Sequence, residues 1–120
     1  MLKENEIETA IRILREPRTR MDIVYLLLLL IPIGKVVSYS TLAHILKTTP
    51  RVIARYLAMN KYAPLIPCHR VVTKRGELGG YTPGGREMKR RLLRLEGVEV
   101  QQDRVPTHVY FDCQLKQLLT

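Results

Sequence analysis

Apolar residues recur along this chain at helical spacing in several stretches, and each stretch is bounded by residues that start or stop helices. Residues 4–15 place Ile7, Ala10, Ile11 and Leu14 on one face of a short helix that Pro17 ends. Residues 20–31 carry an apolar run from Ile23 to Ile31 between Asp22 and Pro32, which predicts a fully buried core helix. Residues 32–35 then read as a turn, and Val36 and Val37 as a short extended piece. No internal repeat and no low-complexity segment interrupts this order.

The next helix opens with Ser38 or Ser40 as its N-cap, because a hydroxyl at that position accepts a bond from a free backbone N–H. Leu42, Ala43, Ile45 and Leu46 form its inward face, and Thr48 and Thr49 break it. Thr49 caps a further helix with Pro50 at the favoured first position. On that helix Val52, Ile53, Tyr56 and Leu57 face inward, with Met59 at the margin. Arg51, Ala54, Arg55 and Ala58 share the opposite side at spacings of three and four. Two short helices joined by a tight turn make a helix–turn–helix unit. Residues 86–96 form a basic helix stopped by Gly97, with Met88, Leu92, Leu93 and Leu95 toward the core.

Charge sharpens this picture. Residues 1–34 carry five basic and five acidic side chains, residues 35–94 thirteen and two, and residues 95–120 two and four. The net +9 of the chain therefore sits in its middle, around the helix–turn–helix. A solvated basic face explains any single Lys or Arg, whereas this concentration points to a polyanion, and nucleic acid before a membrane. The apolar run 23–31 is about half the length a membrane span needs, and the N-terminus has no apolar signal-peptide core. We therefore expect one soluble intracellular domain over residues 1–120. Two cysteines, Cys68 and Cys113, are too few for a disulfide framework, and no Cys/His spacing suits a structural metal.

Candidate chemistry concentrates in Ile66 to Val72, IPCHRVV, where a cysteine and a histidine stand side by side. A cysteine in an apolar stretch is more often a buried small hydrophobe than a nucleophile. Pro67, however, restricts its predecessor and its own backbone angle, so Cys68 sits at a defined corner. Five glycines between residues 76 and 85 make no phosphate-binding motif, but they allow a close-fitting loop with Tyr81 available to pack on something flat. Glu96, an acid at the C-terminal end of a basic helix, opposes the helix dipole and so needs a partner.

Taken together, GKVVSY, TLA, TTPR, Asn60, IPCHRVV, the Gly-Gly-Tyr loop and LLRLEG resemble the O6-alkylguanine-DNA alkyltransferase family over residues 20–98. The resemblance implies a catalytic domain that is mostly α with a small β element, a winged-helix-like helix–turn–helix placed in the minor groove. It implies a flipped nucleotide and irreversible, single-turnover transfer of an alkyl group from O6-alkylguanine to a cysteine. By that resemblance Cys68 is the acceptor, His69 removes the thiol proton through a water, and Glu96 orients His69. Asn60 ties the recognition helix to the active-site strand. Tyr39 crowds the phosphate behind the flipped nucleotide, Arg51 fills the gap in the stack, and Tyr39, Tyr81 and Thr82 line the substrate pocket. The DNA-binding set is Tyr39, Thr49, Arg51, Ala54, Arg55 and Ala58.

No cofactor or metal is implied. The expected partner is double-stranded DNA carrying O6-alkylguanine, with the protein a monomer in the cytoplasm at the nucleoid, or in the nucleus of a eukaryote. Four features depart from the family pattern. Residues 1–19 offer one helix in place of a separate N-terminal domain, Arg55 stands where a very small residue is usual, Lys61 follows Asn60 in place of Pro, and Pro83 lengthens the pocket loop. The resemblance gives the tail 99–120 no reading, and its stretch 111–119 is expected to pack on residues 7–14. Two other functions compete: a lesion binder of the alkyltransferase-like kind, which lacks the cysteine, and a plain helix–turn–helix module, which leaves Cys68, His69 and Glu96 unexplained.

Overall fold

The computed structural model describes residues 4–120; the first three residues of the N-terminal segment lie outside the described residues. Six helices carry the fold: α1 (Glu4–Arg15), α2 (Arg20–Leu29), α3 (Tyr39–Leu46), α4 (Pro50–Ala58), α5 (Gly85–Leu95) and α6 (Asp112–Leu118). Two short strands, β1 (Val37–Ser38) and β2 (Val71–Val72), pair in parallel with Val37 opposite Val71 and Ser38 opposite Val72. The mostly helical architecture with a small β element is as the sequence predicts.

Local chemistry explains the helix starts. Thr19 caps α2 by accepting from the Asp22 N–H at 3.1 Å, while Asp22 accepts from the Arg18 N–H at 2.9 Å. Ser38, rather than Ser40, caps α3 by accepting from the Thr41 N–H at 3.1 Å. Thr49 caps α4 by accepting from the Val52 N–H, with Pro50 in the first turn. Between α3 and α4 the chain turns through Lys47, which takes the left-handed conformation at φ 56° and closes α3. Arg20 donates to the Leu46 carbonyl and ties α2 to the same turn.

The main core joins α2, α3 and α4 with Ile66, Cys68, Val71 and Leu115; a second cluster gathers Val36, Val72, Leu78, Leu93, Val98, Val100, Val105 and Val109. Expected packing is corrected on α1, in the C-terminal segment, on α2 and on α5. On α1, Ala10 and Ile13 are buried, whereas Ile7, Ile11 and Leu14 stay 41–44% exposed; the small Ala10 lets this helix approach α2 along a narrower line than the apolar stripe marks. The expected packing of 7–14 on 111–119 is replaced by insertion of Leu115 and Phe111 into the main core. The helix α2 is buried on one side only, with Ile23, Leu29 and Leu30 exposed.

On α5 the inward residues are Leu93 and Lys89; Met88 and Leu95 point outward. Helical spacing of four pairs Lys89 with Leu93, and the sheet edge offers Lys89 carbonyl acceptors that a methionine would leave unpaired. On α4, Ile53 and Leu57 are buried as expected, Val52 and Tyr56 are half-buried, and Met59 is exposed. Among the described residues no helix is long and apolar enough to cross a membrane.

Candidate active site and nucleic-acid face

Cys68 opens a 3₁₀ turn, Cys68–Arg70, that runs directly into β2. Its N–H donates to the Ile66 carbonyl at 2.9 Å, and the same carbonyl accepts from Asn60 Nδ2 at 2.9 Å. Asn60 Oδ1 in turn accepts from the Tyr62 N–H. The amide of Asn60 therefore clamps the end of α4 to the segment that presents the thiol. Both cysteines are free, Cys68 buried and Cys113 exposed.

The thiol lines a pocket of about 140 Å³ walled by Tyr39, Tyr81, Thr82 and Gly80 on one side and by Ala54, Leu57 and Ala58 of α4 on the other. Tyr39, Tyr81 and Thr82, expected around one pocket, are thus brought together with Cys68. The alanines of α4, assigned to the DNA face, also reach this wall. Pro83 stands outside the lining, so the longer loop does not fill the pocket.

Behind the thiol lies a polar cluster. His69, 1% exposed, places Nε2 2.9 Å from Glu96 Oε2, while its Nδ1 is buried without a protein partner. A carboxylate accepts, so Nε2 carries the proton and Nδ1 keeps its lone pair. Burial lowers the His69 pKa, and Glu96 opposes that shift only in part, so the ring is neutral at neutral pH and able to accept a proton. Burial alone would raise the Glu96 pKa, but hydrogen bonds from Arg70 and His69 bring it below the usual range.

Arg70, which carried no expected role, grips Glu96 with two bonds: Nε to Oε1 at 2.9 Å and Nη2 to Oε2 at 2.7 Å. Its Nη1 donates to the Ile31 carbonyl and anchors the pair to the end of α2. Bidentate geometry of this kind fixes a carboxylate more strongly than a single bond does. Glu96 thus has the partner its position demanded, and Arg70 is that partner together with His69.

Lys89 was missed as a functional residue. It is fully buried and donates to the Val71 carbonyl at 2.7 Å, the Gly80 carbonyl at 3.1 Å and Tyr39 Oη at 3.4 Å. A signal for it exists in hindsight: Lys89, Leu93 and Glu96 follow one helical stripe, a charge at a core-facing position. Burial lowers the Lys89 pKa to about 7. Burial likewise raises the Cys68 thiol, while Asn60 and the Lys89 charge pull it back down. The tyrosines at the pocket, Tyr39 and Tyr81, are pushed up to about 12 by burial.

The outer side of α4 is open. Arg51, Ala54, Arg55 and Ala58 are exposed together with Thr49. A wider groove lies between this helix and the turn after β2, lined by Arg51, Pro50, Lys74, Thr73 and Gly79, with Tyr39 as the wall shared with the thiol pocket. The groove, with the cations Arg51 and Lys74, therefore adjoins the thiol pocket, sharing Tyr39, Ala54 and Gly80 with it.

Comparison with known proteins shows which family the chain resembles and which fold it shares. The profile described as 6-O-methylguanine DNA methyltransferase, DNA binding domain, matches residues 20–98. A methylated-DNA–protein-cysteine methyltransferase of Archaeoglobus fulgidus is 48% identical over 73 residues, covering 57% of this chain and 49% of the relative. One of Thermococcus barophilus is 48% identical over 66 residues, covering 55% and 37%. This chain thus spans half or less of the length of these relatives.

Among solved structures, the O6-methylguanine-DNA methyltransferase of Pyrococcus kodakaraensis superposes with TM-score 0.60 at 29% identity, over 82% of this chain and 66% of the other. Mycobacterium tuberculosis OGT in complex with DNA gives 0.62 at 34%, over 68% and 51%. An S. pombe protein in complex with damaged DNA containing O6-carboxymethylguanine gives 0.62 at 26%, over 71% and 83%.

Proposed function

Because this chain belongs to the 6-O-methylguanine DNA methyltransferase family, we propose that it repairs DNA by taking the alkyl group of O6-alkylguanine onto Cys68, once per molecule. The observation that carries the proposal is the buried thiol in a pocket that adjoins a groove lined by Arg51 and Lys74, with a histidine–carboxylate pair behind it.

In this reading α4 lies against the duplex and the damaged nucleotide turns out of the stack, at a cost of a few kcal/mol. Arg51, exposed at the start of α4, fills the space left behind, and its contacts offset part of that cost. The base enters between Tyr39 and Tyr81. His69 Nδ1 takes the thiol proton through a bridging water, and Glu96 steadies the imidazolium that forms. The thiolate attacks the alkyl carbon, a C–S bond forms, the C–O bond breaks, and its electron pair stays on guanine O6. Lys89 favours the thiolate by charge and holds the pocket wall through Gly80 and Tyr39. The thioether has no leaving partner, so the protein acts once.

The resemblance to the S. pombe protein solved with damaged DNA supports a second reading, a binder that recognises the lesion without transfer. Cys68 in the pocket favours transfer. Incubation with free O6-benzylguanine and with duplex containing O6-methylguanine, followed by intact-mass measurement and peptide mapping, separates them. One alkyl group per molecule on Cys68 is expected. Absence of a mass gain supports the binder, and modification confined to Cys113 or repeated turnover overturns the proposal.

A further inference from the structure

Residues 99–120 lie beyond the family match, yet they grip the site from two sides. Along β1, the Val36 N–H donates to the Val109 carbonyl at 2.9 Å and the Phe111 N–H to the Val36 carbonyl at 2.7 Å. Behind the pocket loop, the Val105 N–H donates to the Gly76 carbonyl, the Leu78 N–H to the Asp103 carbonyl, and Tyr110 Oη to the Thr73 carbonyl at 2.5 Å. That loop leads to Gly79, where even a Cβ would come within 2.9 Å of Tyr39 Oη.

The second grip is a carboxylate. Asp112, in the first turn of α6, accepts from Ser38 Oγ at 2.7 Å, from Thr41 Oγ1 at 2.5 Å and from the Ser38 N–H at 3.3 Å. Ser38 is the cap of α3, and Tyr39 is the first residue of that helix. Leu115, fully buried in the main core, already anchors α6 by packing. A partly buried carboxylate adds a desolvation cost that only well-made bonds offset. All the bonds of Asp112 named here go to the two residues that flank Tyr39 and its turn, and its charge lies at the favourable end of α3.

We propose that Asp112 is a positioning residue: the C-terminal segment holds the Ser38 cap and thereby sets where the Tyr39 ring stands as pocket wall. The inference rests on the alkyl-transfer reading for its rate measurements, but not for its structural one.

The test uses the full chain with Asp112→Ala, Asp112→Asn, Tyr39→Ala and the double variant Asp112→Ala/Tyr39→Ala. Single-turnover transfer from duplex O6-methylguanine is followed at saturating protein, reading the rate constant and the reactive fraction separately. Asp112→Ala should lower the rate constant about fivefold, the size of one net hydrogen bond, because only part of the loss of its three bonds reaches the Tyr39 ring. Asp112→Asn, which keeps an acceptor and a donor for the same groups, should lose less. In the Tyr39→Ala background the aspartate change should have no further effect, because residues that act as a unit are not additive.

A normal rate constant with a smaller reactive fraction would reduce the segment to a stabiliser, and an undiminished fivefold loss without Tyr39 would place the action of Asp112 elsewhere; either overturns the proposal. If the wild type itself gains no alkyl group, it is the transfer reading that fails. Amide exchange over residues 38–42 then decides: faster exchange in Asp112→Ala supports the grip, and unchanged exchange overturns it.

Discussion

His69 Nε2 and Glu96 Oε2 stand 2.9 Å apart, and the same oxygen accepts from Arg70 Nη2 at 2.7 Å. The carboxylate is therefore shared between the group that would move a proton and a cation that never gives one up. Arg70 fixes the geometry of Glu96 and also draws off part of its negative charge. Burial is the main reason the histidine stays neutral although a carboxylate touches it, and the Arg70 charge adds to that effect.

Glu96→Gln should slow alkyl transfer by about 10²-fold, the lower range of general-base assistance, since Arg70 already weakens the pair. Duplex affinity should change little. The burial-raised thiol of Cys68 makes thiolate scarce at neutral pH, so the variant should recover part of its rate between about pH 7 and pH 9. Rate constants at several pH values check this, and an unchanged rate at pH 7 would assign Glu96 to structure alone.

Lys89 gives stability a pH dependence of known sign. Burial lowers its pKa to about 7 in the folded chain, against 10.5 for an ordinary lysine. Between those limits the unfolded chain binds the extra proton, so this lysine favours folding increasingly as pH rises from 7 to 10, and its full penalty is present below 7. Burial of the Cys68 thiol acts oppositely above its ordinary pKa, because the raised folded pKa is a stability lost as pH rises. Comparing denaturation of wild type with Lys89→Met isolates the lysine. The stability of wild type relative to the variant should grow with pH over that window, by on the order of a few kcal/mol. A pH-independent difference would mean that Lys89 titrates as in water.

Arg51 and Arg55 are both exposed on α4, one turn apart, but only Arg51 lines the groove that shares Tyr39 with the pocket. Arg51→Ala should repair O6-methylguanine in duplex more slowly, by roughly 1–3 kcal/mol of lost extrusion energy. It should react almost normally with free O6-benzylguanine. Arg55→Ala should affect mainly affinity and its salt dependence. Equal losses of Arg51→Ala on duplex and free base would point to support of the pocket instead.

Binding to undamaged duplex should weaken as salt rises, with a log–log slope near about −4 to −5 for about five phosphate contacts. Cys68→Ala should keep that slope, because a buried thiol contributes nothing to a phosphate interface. Titrations at several salt concentrations measure both, and a slope near zero would remove the basic middle segment as a DNA surface.

Much of this was legible from residue order alone. Thr49 with Pro50 marked the start of α4, the apolar spacing marked α3 and α5, and Ile66 to Val72 marked the candidate nucleophile. These are local features, in which the residues that bond or pack lie within one or two turns of each other, so their spacing carries the information. Three features were not legible, and each joins residues far apart in the chain. Arg70 meets Glu96 across 26 positions, Lys89 meets Tyr39 across 50, and Asp112 meets Ser38 across 74. No periodicity links such positions. Whether Lys89 is solvated or fully buried, and whether Ile7, Ile11 and Leu14 face the core or the solvent, depends on which neighbours the packed domain brings up. A side chain's pattern shows which face it shares, while desolvation and hydrogen-bond satisfaction, set only when the elements close on one another, select the face that is buried.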